Sequence, residues 1–427
     1  MIQLTVSCLC GQSRQTLTSR SHPESGLALC HCDTCRHTTG QLVTSYLPVE
    51  EPDYRDGLVQ YTHADRNSSD QRWFCGTCGC HLFRRHPGPN EADPAEWEVA
   101  TGTIVAEDAQ AEDQEPGDAG FKRHINVRDT VDGGLATFLQ DGITGASTPE
   151  PSFPGTRNIR AAQAPTPDDG DDDILHAACA CGRVRFHITR PDGSSLAPRS
   201  NFPDLLLPYH TRDTNITNPT DEKWWLRPPP PTAITDNSPP TKATALADPT
   251  ASGRPGGRYL AGTCACRSCR LASGFEVQSW GFVPASNIVF ARPGQHAAPS
   301  SGPHPQPVDF SLLNEAGVLR GHGSSAGVVR EFCGGCGATV FWHDAVRPLL
   351  IDVSLGVLGA GGPGRGPRGR RAGARAEAWF DWHRGRVSFV EEVARGREAA
   401  PRSVRRARDL ILALETGLRG EKGEGGG

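Results

Sequence analysis

Fifteen cysteines in 427 residues carry most of the chemistry this chain can do. They run Cys8-x-Cys10, Cys30-x-Cys32-x-x-Cys35 and Cys75-x-x-Cys78, with Cys80 just beyond. The same spacings then return in the same order: Cys179-x-Cys181, Cys264-x-Cys266-x-x-Cys269 and Cys333-x-x-Cys336. Soft thiolates suit zinc, which takes four ligands tetrahedrally; a tetrahedral sulfur site can also hold iron. A CxxC turn aims two sulfurs at one ion, and Gly76, Gly79, Gly334, Gly335 and Gly337 fit so tight a turn. A CxC pair chelates only where the backbone turns, and Gly11 and Gly182 follow the two pairs. Seven ligands per set make one closed four-sulfur site and one open three-sulfur site. Closed sites are usually structural, whereas three protein ligands with an open position are the catalytic arrangement. Disulfides are the competing reading. The odd cysteine count, the close CxC spacing and an N-terminus without a basic region before an apolar run argue against it.

The flanks of the clusters repeat with them. Arg36, Gly40 and Ser45 follow the first CxCxxC at the offsets at which Arg270, Gly274 and Ser279 follow the second. Tyr46 aligns with Trp280, RWFCGTCG (72–79) with REFCGGCG (330–337), and Phe83 with Phe341. Such ordered self-similarity implies two tandem copies of one supersecondary unit. The first unit is read as 1–145, with strands at 2–7, 13–18, 42–47, 59–62, 71–74 and 96–101 from their β-branched and aromatic runs. Residues 146–173, rich in Pro and Asp, read as a disordered linker. The second unit is read as 174–395, with strands at 184–188, 276–283, 328–332, 339–342 and 349–354. Two insertions are expected within it, a surface insertion near 191–258 and a flexible one at 359–376. Residues 396–427 form a basic tail with a helix over 402–418, where Val404, Ala407, Leu410, Ile411, Leu414 and Leu418 recur at helical spacing.

Hydrophobic residues make up 36% of the chain, below the ~45–50% of ordinary globular domains, so each unit has a modest core. A structural zinc would then contribute much of the folding free energy. No run of about 20 apolar residues exists, so no membrane partner is expected. The Arg-rich segment 363–375 is read as a solvated linker in preference to a phosphate-binding surface, so no nucleic-acid partner is expected. The expected compartment is the cytoplasm, with the nucleus as the alternative.

These motifs resemble the glutathione-dependent formaldehyde-activating enzymes, a family grouped with centromere protein V. The pattern CxCG, CHCxxCR, FCxxCG stands here as CLCG, CHCDTCR and FCGTCG, and again as CACG, CACRSCR and FCGGCG. The resemblance implies an all-β fold of β-tent type, in two tandem zinc-binding domains built from small antiparallel sheets. It implies structural zinc on Cys8, Cys10, Cys75 and Cys78, and on Cys179, Cys181, Cys333 and Cys336. It implies a second, catalytic zinc on Cys30, Cys32 and Cys35, and its counterpart on Cys264, Cys266 and Cys269. That is about two zinc ions per domain. Residues 124–142 resemble the family's usual end, for which the second unit shows no clear equivalent. The implied reaction joins formaldehyde to glutathione as S-hydroxymethylglutathione, formally a carbon–sulfur lyase activity.

Three thiolates give zinc a net charge of about −1, a centre better suited to a fourth sulfur than to acidifying water. The expected partners are therefore a small thiol such as glutathione and an aldehyde. Arg36 and Arg270 can hold a substrate carboxylate bidentately or hydrogen-bond the zinc thiolates. His31, replaced by Ala265 in the second unit, is either a proton shuttle or a residue packed behind the ligands or at the surface. Cys80 is expected to be a buried apolar residue. The favoured function is a carbon–sulfur lyase acting on a thiol–aldehyde adduct. The alternative is a zinc-stabilised interaction module without catalysis.

Overall fold

The structure, a computed structural model, describes residues 2–20, 26–63, 70–88, 94–108, 120–139, 174–209, 216–228, 257–290, 307–359 and 373–420. The 146–173 linker, residues 210–215 and 229–256 of the first insertion and residues 360–372 of the second lie outside these.

The protein is mostly β, with strands short enough to be bounded by the Gly, Pro and Asp of the sequence. Ile2–Ser7 shows how they form: alternation turns Leu4 and Val6 inward, and the partner strand Arg14–Ser19 sends in Leu17. In the first half one sheet runs, in hydrogen-bonded order, Leu58–Thr62, Gln71–Cys75, His81–His86, Glu96–Ala100, Tyr46–Val49, Arg14–Ser19, Ile2–Ser7 and Ile104–Glu107. In the second half the order is Leu319–Ser325, Val328–Cys333, Thr339–Asp344, Leu350–Ser354, Gln278–Pro284, Arg258–Cys264 and Leu226–Arg227. Ile174–Ala178, Arg185–Thr189 and Ile288–Phe290 make a small antiparallel sheet beside it. Two pairings are parallel: Phe121–Ile125 on Leu27–Cys30, and Phe380–Trp382 on Arg258–Cys264.

Helices are few. Two of seven residues each, α1 (Asp33–Thr39) and α2 (Arg267–Ser273), begin inside the two CxCxxC motifs. α3 (Phe310–Glu315) is short, and α4 (Pro401–Arg419) is the long C-terminal helix. α1 and α2 were not foreseen, because about two turns are too short to show periodicity. Each is set by its ends. The thiol of Cys32 or Cys266 accepts the N–H three residues on as an N-cap, and Gly40 or Gly274 closes the helix in the left-handed conformation, at φ 80° and 76°.

Three expectations need correction. The stretch 191–228 is not simply a surface insertion: Leu205, Trp224 and Trp225 are buried with Leu260, Phe282 and Leu350 as a satellite core. Dense aromatic content in a polar stretch was the missed signal. The end of the second insertion is likewise packed, since Ala374, Arg375 and Ala376 are buried. Arg375 donates to the carbonyls of Asp132 and Gly134 and to Thr137 Oγ1. The C-terminal helix packs as its apolar spacing implies: Val404, Ala407, Leu410, Ile411, Leu414 and Leu418 are buried, and Glu107 of the first half accepts from Arg402 N–H and Ser403 Oγ at the helix start. Lastly, the 124–142 segment does have a counterpart. Phe380–Trp382 takes the place of Phe121–Ile125, and each leads into a left-handed residue, Phe389 (φ 54°) or Asn126 (φ 57°). Three residues further on, Asp129 accepts the Asp33 N–H and Glu392 accepts the Arg267 N–H. The two segments share almost no residue types, so only the backbone reveals the match.

Candidate metal centres

The two CxC turns and the two CxxC turns come together in pairs. Gly11 and Gly182 adopt φ of 82° and 72°, which folds each CxC back so that both sulfurs face one point. Cys8, Cys10, Cys75 and Cys78 form one cluster, and Cys179, Cys181, Cys333 and Cys336 a second. All sulfurs in a cluster lie within 4.8 Å of one another. Individual separations are 3.4 Å for Cys8–Cys10, 3.6 Å for Cys10–Cys75 and 3.4 Å for Cys181–Cys333. Four sulfurs about 2.3 Å from a tetrahedral zinc would stand roughly 3.8 Å apart. None of the fifteen cysteines is in a disulfide. Backbone N–H groups already point at the sulfurs: Ser13 to Cys8, Val184 to Cys179 and Gly335 to Cys333, at 3.3–3.4 Å. Donors aimed at buried sulfur favour thiolate, and four thiolates this close need a cation. The donor set therefore fits zinc.

Cys30, Cys32 and Cys35 form a third cluster and Cys264, Cys266 and Cys269 a fourth. Among the described residues no fourth His, Cys, Asp or Glu ligand joins either. In each, one thiol is held well below its ordinary pKa. For Cys35 the causes are hydrogen bonds from Cys30 and Cys32, with Arg72 assisting; for Cys269 they are Cys264 and Cys266, with Arg330 assisting. Cys32 and Cys264 move the other way, through hydrogen bonds to Cys30 and to Cys266 respectively. Three like charges at this distance do not ionise together without a cation to hold them.

The guanidinium groups beside these sulfurs were not singled out from the sequence. Arg72 Nη2 donates to Cys35 Sγ at 3.2 Å, and Arg330 Nη2 donates to Cys269 Sγ at 3.4 Å. Both are buried, and each lies on the strand that leads into a CxxC, three residues before its first cysteine. Their signal was present as the shared first letter of RWFC and REFC. Arg36 and Arg270, which the sequence favoured, do something else. Arg36 is buried with Nη2 on Asp33 at 2.7 Å. Arg270 is buried with its guanidinium on the carbonyls of Gly102 and Arg395. Neither donates to a cysteine sulfur in the hydrogen bonds of the described residues, because each guanidinium is taken up by these other partners. His31 is fully buried, with Nε2 2.8 Å from His124 Nδ1, so it packs behind the ligands and not at the surface. Cys80 joins no cluster; it is buried, and burial raises its thiol well above the ordinary value.

The two three-sulfur centres differ in their surroundings. The first borders a pocket whose wall includes Cys30, Thr44, Tyr46, Arg84, Glu98 and Arg123. Asn126 Nδ2 lies 3.5 Å from Cys30 Sγ. Burial pushes the Tyr46 phenol up to about 12. At the second centre Trp280 packs on Cys264 and Cys269, with Trp342 and Phe389 against them. Phe389 is held from the other side by the 191–209 stretch: its N–H donates to Asp204 Oδ2 at 2.7 Å, and Tyr209 packs edge-on to its ring at 5.6 Å.

Residues 3–116 match the family model described as glutathione-dependent formaldehyde-activating enzyme. That span contains Cys8, Cys10, Cys30, Cys32, Cys35, Cys75 and Cys78, the complete first set of seven. Neither the curated proteins nor the solved structures include a match. Among the described residues no helix is long and apolar enough to cross a membrane.

Proposed function

We propose that this chain is a zinc-dependent carbon–sulfur lyase acting on a thiol–aldehyde adduct of the S-hydroxymethylglutathione type, and that its first half does the chemistry. The observation that carries the reading is a three-cysteine centre, Cys30, Cys32 and Cys35, that borders a pocket inside the matched family span. Zinc on those three sulfurs would supply the cation that keeps a substrate thiol in its nucleophilic thiolate form. Arg72 offsets the negative charge of the cluster from behind. Arg84 and Arg123 give the pocket wall a positive face for a carboxylate-bearing thiol, with Glu98 holding Arg84 at 2.6 Å. Cys8, Cys10, Cys75 and Cys78 would hold a structural zinc that ties the first strand pair to the strand carrying Arg72.

The second half, from 174 to about 395, is inferred to be a second copy of the same domain that keeps both of its zinc sites but serves as a partner. Its support is a shared order of five strands, from Leu58–Thr62 to Tyr46–Val49 and from Leu319–Ser325 to Gln278–Pro284, the paired helices α1 and α2 and the two matching cysteine clusters. The changes His31 to Ala265, Tyr46 to Trp280 and Asn126 to Phe389 replace polar groups around its three-sulfur centre with apolar ones. Residues 1–145 and 146–173 keep their reading as first domain and linker, and the cytoplasm remains the expected compartment.

The test is a pair of ligand substitutions in the full chain, assayed as formaldehyde exchange with glutathione. Cys32→Ser should abolish most turnover, and Cys266→Ser should leave at least half. The reverse ranking overturns the assignment of the working half. Equal, unimpaired turnover in both variants, or none in the unmodified chain, points to the interaction module instead.

A further inference from the structure

The Arg72 guanidinium that meets Cys35 holds a second partner. Its Nη1 donates to the Tyr46 hydroxyl at 3.0 Å, while Nη2 reaches Cys35 Sγ at 3.2 Å. One rigid, planar fork thus fixes a phenol and a sulfur of the centre relative to each other. A hydroxyl that accepts from a guanidinium keeps its own O–H to donate, and no acceptor among the described residues takes it. Tyr46 lines the same pocket as Cys30 and is 7% exposed, so its hydroxyl is held away from bulk water. Arg84 lies over the ring, its Cζ 4.4 Å from the centroid, and the ion pair with Glu98 steadies it there. The ring is thus clamped on one face and the oxygen at its tip.

The second half serves as an internal control. Arg330 occupies the place of Arg72 and meets Cys269, but Trp280 stands where Tyr46 would be. Nε and Nη1 of Arg330 have no partner in the structure. Holding the sulfur therefore does not require a tyrosine. The phenol is an addition of the first half, where it lines the pocket beside Cys30.

We propose that Tyr46 is a catalytic residue that donates a hydrogen bond to the aldehyde-derived oxygen of the thiol–aldehyde pair, with Arg72 as its positioning residue. This rests on the lyase reading above. In the forward direction the sulfur lone pair forms the S–C bond while the C=O π pair moves onto oxygen. The proton released when the thiol ionises returns from solvent to that oxygen, so thiol plus aldehyde gives the hydroxymethyl thioether with no oxidant or reductant. Tyr46 shares its hydrogen with the oxygen as charge develops and retains it throughout. A donor placed in advance on a developing oxyanion is worth on the order of 10²-fold in rate. Catalysis in the reverse direction gains equally, since the same oxygen bears charge in the same transition state.

The experiment uses the full-length, zinc-loaded chain and glutathione with formaldehyde. Tyr46→Phe keeps the ring under Arg84 and deletes only the hydroxyl. The expected result is a fall of about 10²-fold in kcat. Calorimetric affinity for glutathione alone and zinc content should stay at wild-type values, while the melting temperature falls modestly because Arg72 Nη1 loses its acceptor. Arg72→Lys keeps the charge but loses the fork. It should lower kcat by a comparable factor, and the double variant should be no slower than the worse single one. Turnover of Tyr46→Phe within twofold of wild type overturns the proposal. So does a parallel loss of glutathione affinity or zinc, which would mark a structural role. Multiplying losses in the double variant overturn the positioning by Arg72. A wild-type chain that binds glutathione but shows no exchange fails the lyase reading itself, and the role of Tyr46 falls with it.

Discussion

Each cysteine here is defined by what its sulfur touches. Cys75 and Cys333 are fully buried members of the four-sulfur clusters, and each cluster joins chain segments far apart in sequence: 8–10 with 75–78, and 179–181 with 333–336. Losing one ligand removes a cross-link along with a contact, so Cys75→Ser and Cys333→Ser should each cost on the order of 4 kcal/mol and about one zinc per chain. Cys80 is as deeply buried, yet its sulfur joins no metal cluster; it donates to the carbonyl of His81 at 3.6 Å, which a serine hydroxyl can also reach. Cys80→Ser should therefore keep full zinc content and lose about 1 kcal/mol or less. Melting curves with metal analysis of the three variants decide this; equal damage in all three would refute the cluster assignment. The ligands were readable from the sequence because chelation demands a residue type at a spacing. Arg72 and Arg330 were not, because an arginine acquires its meaning only when the sheet places it behind a sulfur. Arg36 and Arg270 misled for the same reason: adjacency in sequence put them next to a ligand, but the helical turn aimed them elsewhere.

Among the elements, α1 and α2 tie the metal centres to the opposite half of the molecule. The C-cap of α1, Gly40, lies against the second half, where its carbonyl accepts the Gly356 N–H at 3.1 Å. The C-cap of α2, Gly274, reciprocates: its carbonyl accepts the Gly102 N–H at 3.0 Å. A Cβ at Gly40 would be strained by its φ of 80° and would also collide with the Thr339 carbonyl oxygen and, at 2.8 Å, with Ser354 Oγ. Gly57 supplies the control, since its φ is 75° but nothing lies within 4 Å of the added carbon. Gly57→Ala should cost only the left-handed backbone penalty, about 1–2 kcal/mol. Gly40→Ala adds overpacking against rigid backbone and should cost about 3 kcal/mol or more. Urea titrations of the two variants test this, and equal midpoints would mean that the contact between halves carries no stability. The alternating strand Ile2–Ser7 and the β-branched and aromatic strand Val328–Cys333 were placed almost to the residue from the sequence. The satellite core of Trp224 and Trp225 was not, because prolines and acids around it carry no strand or helix period. The counterpart of 124–142 was missed because parallel pairing with the strand before CxCxxC is a backbone property that FDWHRG and FKRHIN need not share in letters.

For the whole molecule, the two halves are joined by exchanged contacts throughout. Phe74 packs edge-on to Phe332 with centroids 6.5 Å apart, Gln41 meets Gln278, and His37 Nδ1 lies 2.9 Å from the Ala178 carbonyl. α4 reaches back from the C-terminal end onto Glu107. His81 sits in this junction, fully buried, its ring 5.6 Å from that of Phe74 and its carbonyl facing Gly274. Burial lowers its pKa to about 3, from an ordinary value of 6.5, with the nearby Arg72 charge acting in the same direction. A histidine with a depressed folded-state pKa is neutral in the fold when the unfolded chain already binds a proton. Stability is therefore present above pH 6.5 and is lost as pH falls from 6.5 toward 3, with about 2 kcal/mol gone by pH 5. His124, lowered to about 4 by burial, adds to the loss in the same window. His86 acts in a different window: hydrogen bonds to Asp70 and Glu98 raise it to about 9, so its contribution is complete below 6.5 and fades as pH rises to 9. That group is partly exposed, and solvent screening makes its effect the smaller. Stability should thus be greatest near pH 6.5 and fall more steeply on the acid side. Acid release of zinc would slope in the same direction, so the discriminating measurement is His81→Gln, which cannot titrate. Between pH 6.5 and 5 its urea midpoint should fall less steeply than that of the wild type, by about one proton's worth of slope. Identical slopes in the two proteins would show that zinc loss alone governs the acid limb and that the junction histidine is silent.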